Sequence, residues 1–211
     1  MATVKQALPD SLPGKRERTR LALVEAAIAI LAERDLEGTS IDDVARMAGM
    51  ARGTFYNHFE SREALACAAS QLIRERLHSS VVDHIPVTFD AAETFTCVTY
   101  GFIHHCLQQP QTGWALVRIG GSAHWVTAEQ FTRAHTALAA LLPADAPLML
   151  GLVYIEGVAL MVVRRLLENV ITFTEAETVI ALAMQGIGVP AQRIPALQET
   201  ARRFVSALSQ H

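Results

Sequence analysis

Apolar residues recur every three or four positions in segment after segment of this chain. The first example is the set Leu23, Ala26, Ala27, Ile30 and Leu31. This spacing places the five side chains on one face of an α-helix. No segment shows the sustained alternation of apolar and polar residues that a half-buried β-strand requires. The pattern therefore predicts an all-α fold, in which glycine and proline residues separate the helices.

The same spacing divides the chain into candidate helices and domains. Helices are predicted over residues 15–35, 41–47, 52–57, 62–81, 89–107, 114–119, 127–142, 148–168, 175–186 and 195–208. Thr174 and Glu177 have the spacing of a capping box at the start of the ninth helix. We expect a flexible N-terminal arm over residues 1–14, a first helical domain over 15–62 and a larger helical domain over 63–211.

The charge balance excludes a uniformly basic nucleic-acid binder but allows a local basic patch. The net charge is −3, and residues 1–62 carry nine Lys or Arg against nine Asp or Glu. The sharpest basic cluster is the segment 15–20, which contains four basic residues. Such a cluster is typical of a solvated helix start and equally of a segment that contacts DNA phosphates or the minor groove.

The cysteines and the histidines each allow a second interpretation. Cys67, Cys97 and Cys106 lack CxxC spacing, and with no apolar segment near the N-terminus they favour reduced thiols in a cytoplasmic protein. A redox switch is the alternative. His104, His105 and Cys106 are adjacent, which is poor spacing for chelation from a helix, so we expect no metal and no cofactor. His124 and His135 are the residues that could complete such a site.

The run 148–163 is too short to cross a bilayer and contains Glu156. A buried or interface helix is therefore the favoured interpretation. Because an unpaired buried charge is costly, Glu156 is expected to find a partner or to face a polar cavity or interface.

Two short helices joined by a tight turn indicate a helix-turn-helix. Gly49 in the turn 48–50 suits a positive φ. The second helix of such a motif enters the major groove with its N-terminal residues on base edges. Arg52 can donate two hydrogen bonds to guanine, and Gly53 allows close approach of the backbone. The remaining candidates for base or phosphate contacts are Ala51, Thr54, Tyr56, Asn57, His58 and Arg62.

The segment 39–65, TSIDDVARMAGMARGTFYNHFESREAL, resembles the DNA-binding signature of the TetR/AcrR family of bacterial transcriptional regulators. The resemblance adds Thr39 and Ser40 to the expected DNA-binding residues. It implies a homodimer that binds double-stranded DNA at a palindromic operator and is released by a small-molecule effector. Three residues differ from the family pattern, with Asp35 in place of glycine, Ala51 in place of a Ser or Thr cap, and Arg62 in place of lysine.

The resemblance also implies an effector cavity and a dimer interface in the C-terminal part. We expect a largely apolar ligand, with polar tips supplied by Tyr100, His104, Trp114, Arg118, Trp125 and Tyr154. Helices 148–168 and 175–186 are the expected dimer interface. No catalytic motif supports an enzyme. The alternatives are a ligand-binding or enzymatic helical protein with a structural helix-turn-helix, and an activator in place of a repressor.

Overall fold

Helices occupy the places that the apolar spacing predicts. The computed structural model describes residues 14–120 and 133–209, and over these ranges it contains α-helices and turns but no strand. The helices are α1 (Lys15–Leu31), α2 (Ile41–Met47), α3 (Arg52–Tyr56), α4 (Arg62–Ser80), α5 (Ala91–Gln108), α6 (Pro110–Ile119), α7 (Arg133–Leu141), α8 (Leu148–Leu167), α9 (Phe173–Gly186) and α10 (Ile194–Leu208). The all-α prediction is confirmed. Within the described ranges no helix is both long and apolar enough to cross a membrane.

Local capping explains where the N-terminal helices begin. The Ser40 hydroxyl accepts a hydrogen bond from the Asp43 N–H at the start of α2, and Ser61 accepts one from Ala64 at the start of α4. Gly49 has φ of 68°, which ends α2 and turns the chain into α3. Ala51 precedes α3 and provides no side-chain cap. These features agree with the sequence prediction.

Two helix starts differ from the prediction. Pro110 was expected to follow a helix as a breaker, but it is the first residue of α6, where its missing N–H costs nothing. The capping box of α9 is formed by Thr172 and Glu175, whose side chains each bond the other's backbone N–H. The alternative pair, Thr174 and Glu177, lies inside the helix, and Glu177 is buried.

One continuous apolar core runs through both halves of the chain. In the N-terminal half α1 packs against α2, α4 and α6. In the C-terminal half α5 packs against α7, α8 and α10, and α8 packs against α6 and α9. Helix α4 contributes the buried residues Leu65 and Ile73 to this core. The N-terminal and C-terminal halves are therefore connected through packed side chains.

Arg118 ties α6 to the end of α1. Its Nη1 donates to the carbonyl oxygens of Leu31 (3.2 Å) and Ala32, which are left without helical partners at the end of α1. Its Nε lies 3.7 Å from the Asp35 carboxylate, and its guanidinium stacks on Trp114 at 4.7 Å from the ring centroid. Arg118 is thus engaged with α1 and Trp114, and its expected place in a ligand cavity stays a prediction.

Asp35 gains a partner in this arrangement. Asn169 is the only non-glycine residue with a positive φ in the part of the chain that the structure describes, so Asp35 avoids the left-handed strain that glycine would relieve. The Asp35 carbonyl accepts hydrogen bonds from the Gly38 N–H and the Thr39 hydroxyl. The loop after α1 is thus closed without glycine at position 35.

Glu177 joins three helices of the C-terminal half. Its carboxylate accepts hydrogen bonds from Arg202 Nε (2.7 Å) and Nη2 (2.9 Å) on α10, and from the Tyr100 hydroxyl (3.2 Å) on α5. Its backbone carbonyl accepts one from Gln198. Burial, followed by the nearby Glu177 charge, raises the pKa of Tyr100. Tyr100, expected in a ligand cavity, is a buried donor in this cluster.

Replacing Arg202 with alanine is expected to lower the free energy of unfolding by about 2–3 kcal/mol. Breaking a fully buried ion pair costs about 3–5 kcal/mol, and we take less because the Arg202 side chain is 47% exposed. Urea unfolding measures the loss. Arg203→Ala is the matched control, because Arg203 is 79% exposed and pairs with Glu199 on the surface. Equal losses in both variants would contradict the role of Arg202.

Buried thiols and histidines occupy α5. Burial raises the pKa of both Cys97 and Cys106 to about 12, which keeps these thiols protonated and poorly reactive. Cys67 is exposed on α4. His104 bonds Ser209, and His105 bonds Ser80. No group of three or more potential metal ligands lies in the described residues, and His124 falls outside them.

Candidate nucleic-acid interface

Helix α3 is short, and its exposed and buried sides are distinct. Ala51, Arg52, Gly53 and Tyr56 are exposed, whereas Thr54 is half-buried. A helix of five residues does not form alone in water, so tertiary contacts must hold it. In the first turn of α3, Arg52 is the bulky exposed side chain, and its neighbours Ala51 and Gly53 are small. This turn can therefore approach another surface closely.

Two phenylalanines hold α3 from below. Phe55 is fully buried and Phe59 is 4% exposed, and their ring centroids lie 5.8 Å apart. The ring of Tyr56 meets Phe55 edge-on at 5.4 Å. Arg20 on α1 places its guanidinium 5.1 Å from the Phe59 ring centroid. Phe55 and Phe59 are thus buried beneath α3, whereas Tyr56 remains exposed.

Arg52 is held by two neighbours on the exposed surface. Its Nη1 lies 2.7 Å from Asp42 Oδ2, and its Nη2 donates to the Tyr56 hydroxyl at 3.3 Å. The hydrogen bond to Tyr56, followed by the Asp42 charge, raises the pKa of Arg52. The Asp42 contact could not be predicted from the sequence, because the two residues are ten positions apart and lie on different helices.

Thr39 is not part of the exposed surface. It is 2% exposed and donates its hydroxyl to the Asp35 carbonyl at 3.0 Å. Its side chain is therefore engaged within the protein, and the expected DNA contact of Thr39 stays a prediction. Ser40 is exposed, but its hydroxyl already accepts the capping hydrogen bond that starts α2.

Arg62 uses its guanidinium within the protein. Its Nη1 lies 3.1 Å from the Thr39 carbonyl, 3.2 Å from that of Glu37 and 3.4 Å from that of Leu36. These contacts fix the loop between α1 and α2 against the start of α4. Arg62 was expected to hold a DNA phosphate, but in the structure it positions the loop that leads to α2.

An open polar cleft of about 290 Å3 lies beside α3. Asp42, Arg52 and Arg62 line it together with the loop 37–41. Asn57 follows the last residue of α3 and is exposed, and His58 is half-buried. The DNA-binding candidates other than Thr39 thus lie on or next to one surface formed by α2, α3 and the first turn of α4.

Basic residues extend this surface along α1. Residues 15–18 and Arg20 are exposed at the N-terminal end of α1. Because the Arg20 guanidinium lies over the Phe59 ring, this face of α1 is next to the residues that follow α3. On α2, Asp43 pairs with both Arg34 and Arg46.

Among the described residues, the side chains expected around a ligand have separate partners. His104 bonds Ser209, Trp114 stacks on Arg118, and the Tyr154 hydroxyl lies close to Gly186. Trp125 falls outside the described residues. A small apolar cavity of about 10 Å3, roughly the space of one water molecule, is instead lined by Phe95, Thr99, Ile155, Val158, Ala159, Ile180, Ala183 and Met184.

Glu156 has the partner that its position in an apolar run requires. Its carboxylate lies 3.8 Å from Arg74 on α4. Burial raises the pKa of Glu156, and Arg74 opposes that shift. The sequence-based expectation of a partner is confirmed, and the contact adds a second connection between α4 and the C-terminal half.

Comparison with known proteins finds a family match over the segment that contains α3. Residues 23–69 match the family described as bacterial regulatory proteins, tetR family. The chain is 35% identical over 91 residues to the HTH-type transcriptional regulator YvdT of Bacillus subtilis, which covers 43% of each chain. It is 39% identical over 56 residues to the HTH-type transcriptional repressor KstR2 of Rhodococcus jostii, covering 26% of this chain and 27% of KstR2. The matches thus span less than half of these relatives.

Similarity of fold extends over most of the chain. A TetR-family transcriptional regulator from Rhodococcus sp. has a TM-score of 0.63 at 20% identity, over 81% of this chain and 98% of that one. RolR in complex with resorcinol has a TM-score of 0.54 at 24% identity, over 90% and 95% of the two chains. At these identities the likeness concerns the arrangement of helices.

Proposed function

Because this chain belongs to the TetR family of bacterial regulatory proteins, we propose that it is a sequence-specific DNA-binding transcriptional repressor. The observation that carries the proposal is the surface of α3, where Arg52 and Tyr56 are exposed on a helix anchored by the buried Phe55. The repressor KstR2, which is similar to this chain over that region, supports repression in place of activation. The protein would act in the cytoplasm, where bacterial DNA lies.

We further propose that the active form is a homodimer. Helices α8 and α9 expose large apolar side chains that a soluble monomer would bury. They are Met149, Leu150, Val153, Tyr154, Met161, Val179 and Leu182, which we call the α8–α9 apolar face. Leu150, Val153, Tyr154 and Met161 follow the spacing of one helix face. Two copies joined by this face would carry two α3 helices to a palindromic operator.

The apolar cavity between α5, α8 and α9 is the proposed entry point for a small, largely apolar effector. Its described lining is aliphatic and aromatic except for Thr99, whose hydroxyl donates to the Phe95 carbonyl. A volume of about 10 Å3 is far below the several hundred Å3 of a ligand pocket. An effector must therefore separate α8 or α9 from α5. RolR, of similar fold, binds the small aromatic compound resorcinol.

Tyr56→Phe and His58→Ala are each expected to weaken DNA binding by about fivefold. His58→Ala should do so on all duplex sequences, whereas Tyr56→Phe should weaken operator binding more, because the Tyr56 hydroxyl also holds Arg52 Nη2. A neutral hydrogen bond contributes about 1 kcal/mol, and a phosphate contact acts on every sequence alike. The salt dependence should be retained in Tyr56→Phe, because a phenol carries no charge. Fluorescence anisotropy with the selected operator and with random duplex measures both. Ser79→Ala, about 25 Å along α4 from Arg62, removes a hydroxyl away from this surface as the control.

Selection from a random duplex library tests the proposal as a whole. The purified chain should enrich an inverted repeat whose half-sites are one turn of DNA apart or a multiple of it. Wild-type affinity in both Tyr56→Phe and His58→Ala, or no enrichment by folded protein, would favour the alternative of a helical protein with a structural helix-turn-helix.

A further inference from the structure

An acidic residue contacts the candidate base-reading arginine. Arg52 is the first residue of α3, and Asp42 lies in the first turn of α2. Their side chains are 58% and 61% exposed, and 2.7 Å separates Arg52 Nη1 from Asp42 Oδ2. Exposed ion pairs contribute little to folding stability. Stabilisation of the fold therefore does not explain this contact.

The guanidinium is restrained at both of its terminal nitrogens. Asp42 holds Nη1, and the Tyr56 hydroxyl accepts from Nη2. The Tyr56 ring also lies 5.8 Å from the guanidinium carbon. Arginine has five N–H donors, and two of them are used by these contacts, so three remain for a base. A planar group fixed in this way loses less entropy when it makes a two-bond contact with guanine.

The same carboxylate disfavours contact with the DNA backbone. Nonspecific binding depends on unpaired basic side chains that neutralise phosphates. Asp42 neutralises Arg52, and it lines the same open cleft as Arg52 and Arg62. A phosphate that approached Arg52 would bring a full negative charge next to the Asp42 carboxylate, whereas the acceptor edge of guanine carries only partial negative charge. The pair therefore weakens nonspecific binding more than base-specific binding.

We infer that Asp42 is a positioning residue that sets sequence specificity by holding Arg52 toward a base edge and away from phosphates. The inference rests on the proposed DNA-binding function. Asp42 sits in a solvent-exposed first turn, where a carboxylate also stabilises α2 through the helix dipole. That second effect acts on folding alone and predicts no change in the ratio of specific to nonspecific affinity.

The test compares Asp42→Asn with the wild type in the full chain. We measure affinity for the selected operator and for a random duplex of equal length over a range of salt concentrations. Asp42→Asn is expected to tighten random-duplex binding by about 3- to 10-fold and to steepen its salt dependence by about one. The operator should gain less, so the specificity ratio falls by a similar factor. Thermal unfolding verifies that the variant is folded.

Two controls separate the Arg52 contact from a general change of charge. Glu60→Gln removes one exposed carboxylate in the turn between α3 and α4 and should leave the ratio unchanged. In an Arg52→Ala background, Asp42→Asn should likewise leave the ratio unchanged, because the residue through which it acts is gone. An unchanged ratio in Asp42→Asn alone would overturn the inference. Absence of operator selection by the wild type would instead overturn the proposed function.

Discussion

Replacing Phe55 with alanine is expected to lower the free energy of unfolding by about 3–5 kcal/mol and to abolish DNA binding at 37 °C. Phe55 is fully buried, and its ring contacts those of Tyr56 and Phe59. Truncation of a buried phenylalanine removes apolar burial and leaves a cavity. Since α3 has five residues, it has no stability of its own to offset that loss.

Phe55→Leu is the matched variant for this prediction. It keeps most of the buried volume and should cost less than about 1.5 kcal/mol, with DNA affinity largely retained. Urea unfolding and anisotropy with the operator measure the two effects in the same samples. An alanine variant that unfolds and binds DNA like the wild type would show that Phe55 does not anchor α3.

Replacing Val153 with glutamate is expected to convert the proposed dimer into a monomer and to weaken binding to the proposed operator by about 100-fold. Val153 is 63% exposed near the centre of the α8–α9 apolar face. A carboxylate placed there must lose water when two faces meet, which opposes association. Each half-site then binds alone, without the gain in effective concentration that a linked pair of α3 helices provides.

Val87→Glu is the control for the dimer prediction. Val87 is 90% exposed and precedes α5, outside the α8–α9 apolar face, so the same change of charge should leave the protein dimeric. Sedimentation velocity gives the oligomeric state, and anisotropy gives operator affinity. A Val153→Glu protein that remains dimeric would place the interface elsewhere.

Helix limits, caps and turns depend on neighbouring residues, and these features could be predicted from the sequence. The limits of α2, the cap at Ser61 and the turn at Gly49 follow from short-range rules, and the structure agrees with them. The capping box of α9 was misassigned because two overlapping pairs fit the same pattern. The structure selects Thr172 and Glu175 because Glu177 is required inside the core.

Roles that depend on distant contacts were not accessible from the sequence. Thr39 was assigned to DNA by the resemblance to the TetR/AcrR signature, and Arg118 was assigned to a ligand cavity as a polar residue in an apolar segment. In the structure they bond backbone carbonyls 4 and 86 or 87 residues away. The pairing of Arg52 with Asp42 across two helices could not be inferred from spacing either.

The hydrogen bonds from Arg118 to the end of α1 limit the exchange of the N-terminal half of such a regulator between proteins. A chimera that joined residues 14–62 to a foreign effector half would lose both Arg118 and the core-forming face of α4. In the transplanted half, the carbonyl groups at the end of α1 would lack the hydrogen bonds from Arg118, and the apolar residues that pack against α4 would be uncovered. A functional exchange must carry α4 and supply an arginine at the equivalent place on α6, which restricts the partners this DNA-reading half can accept.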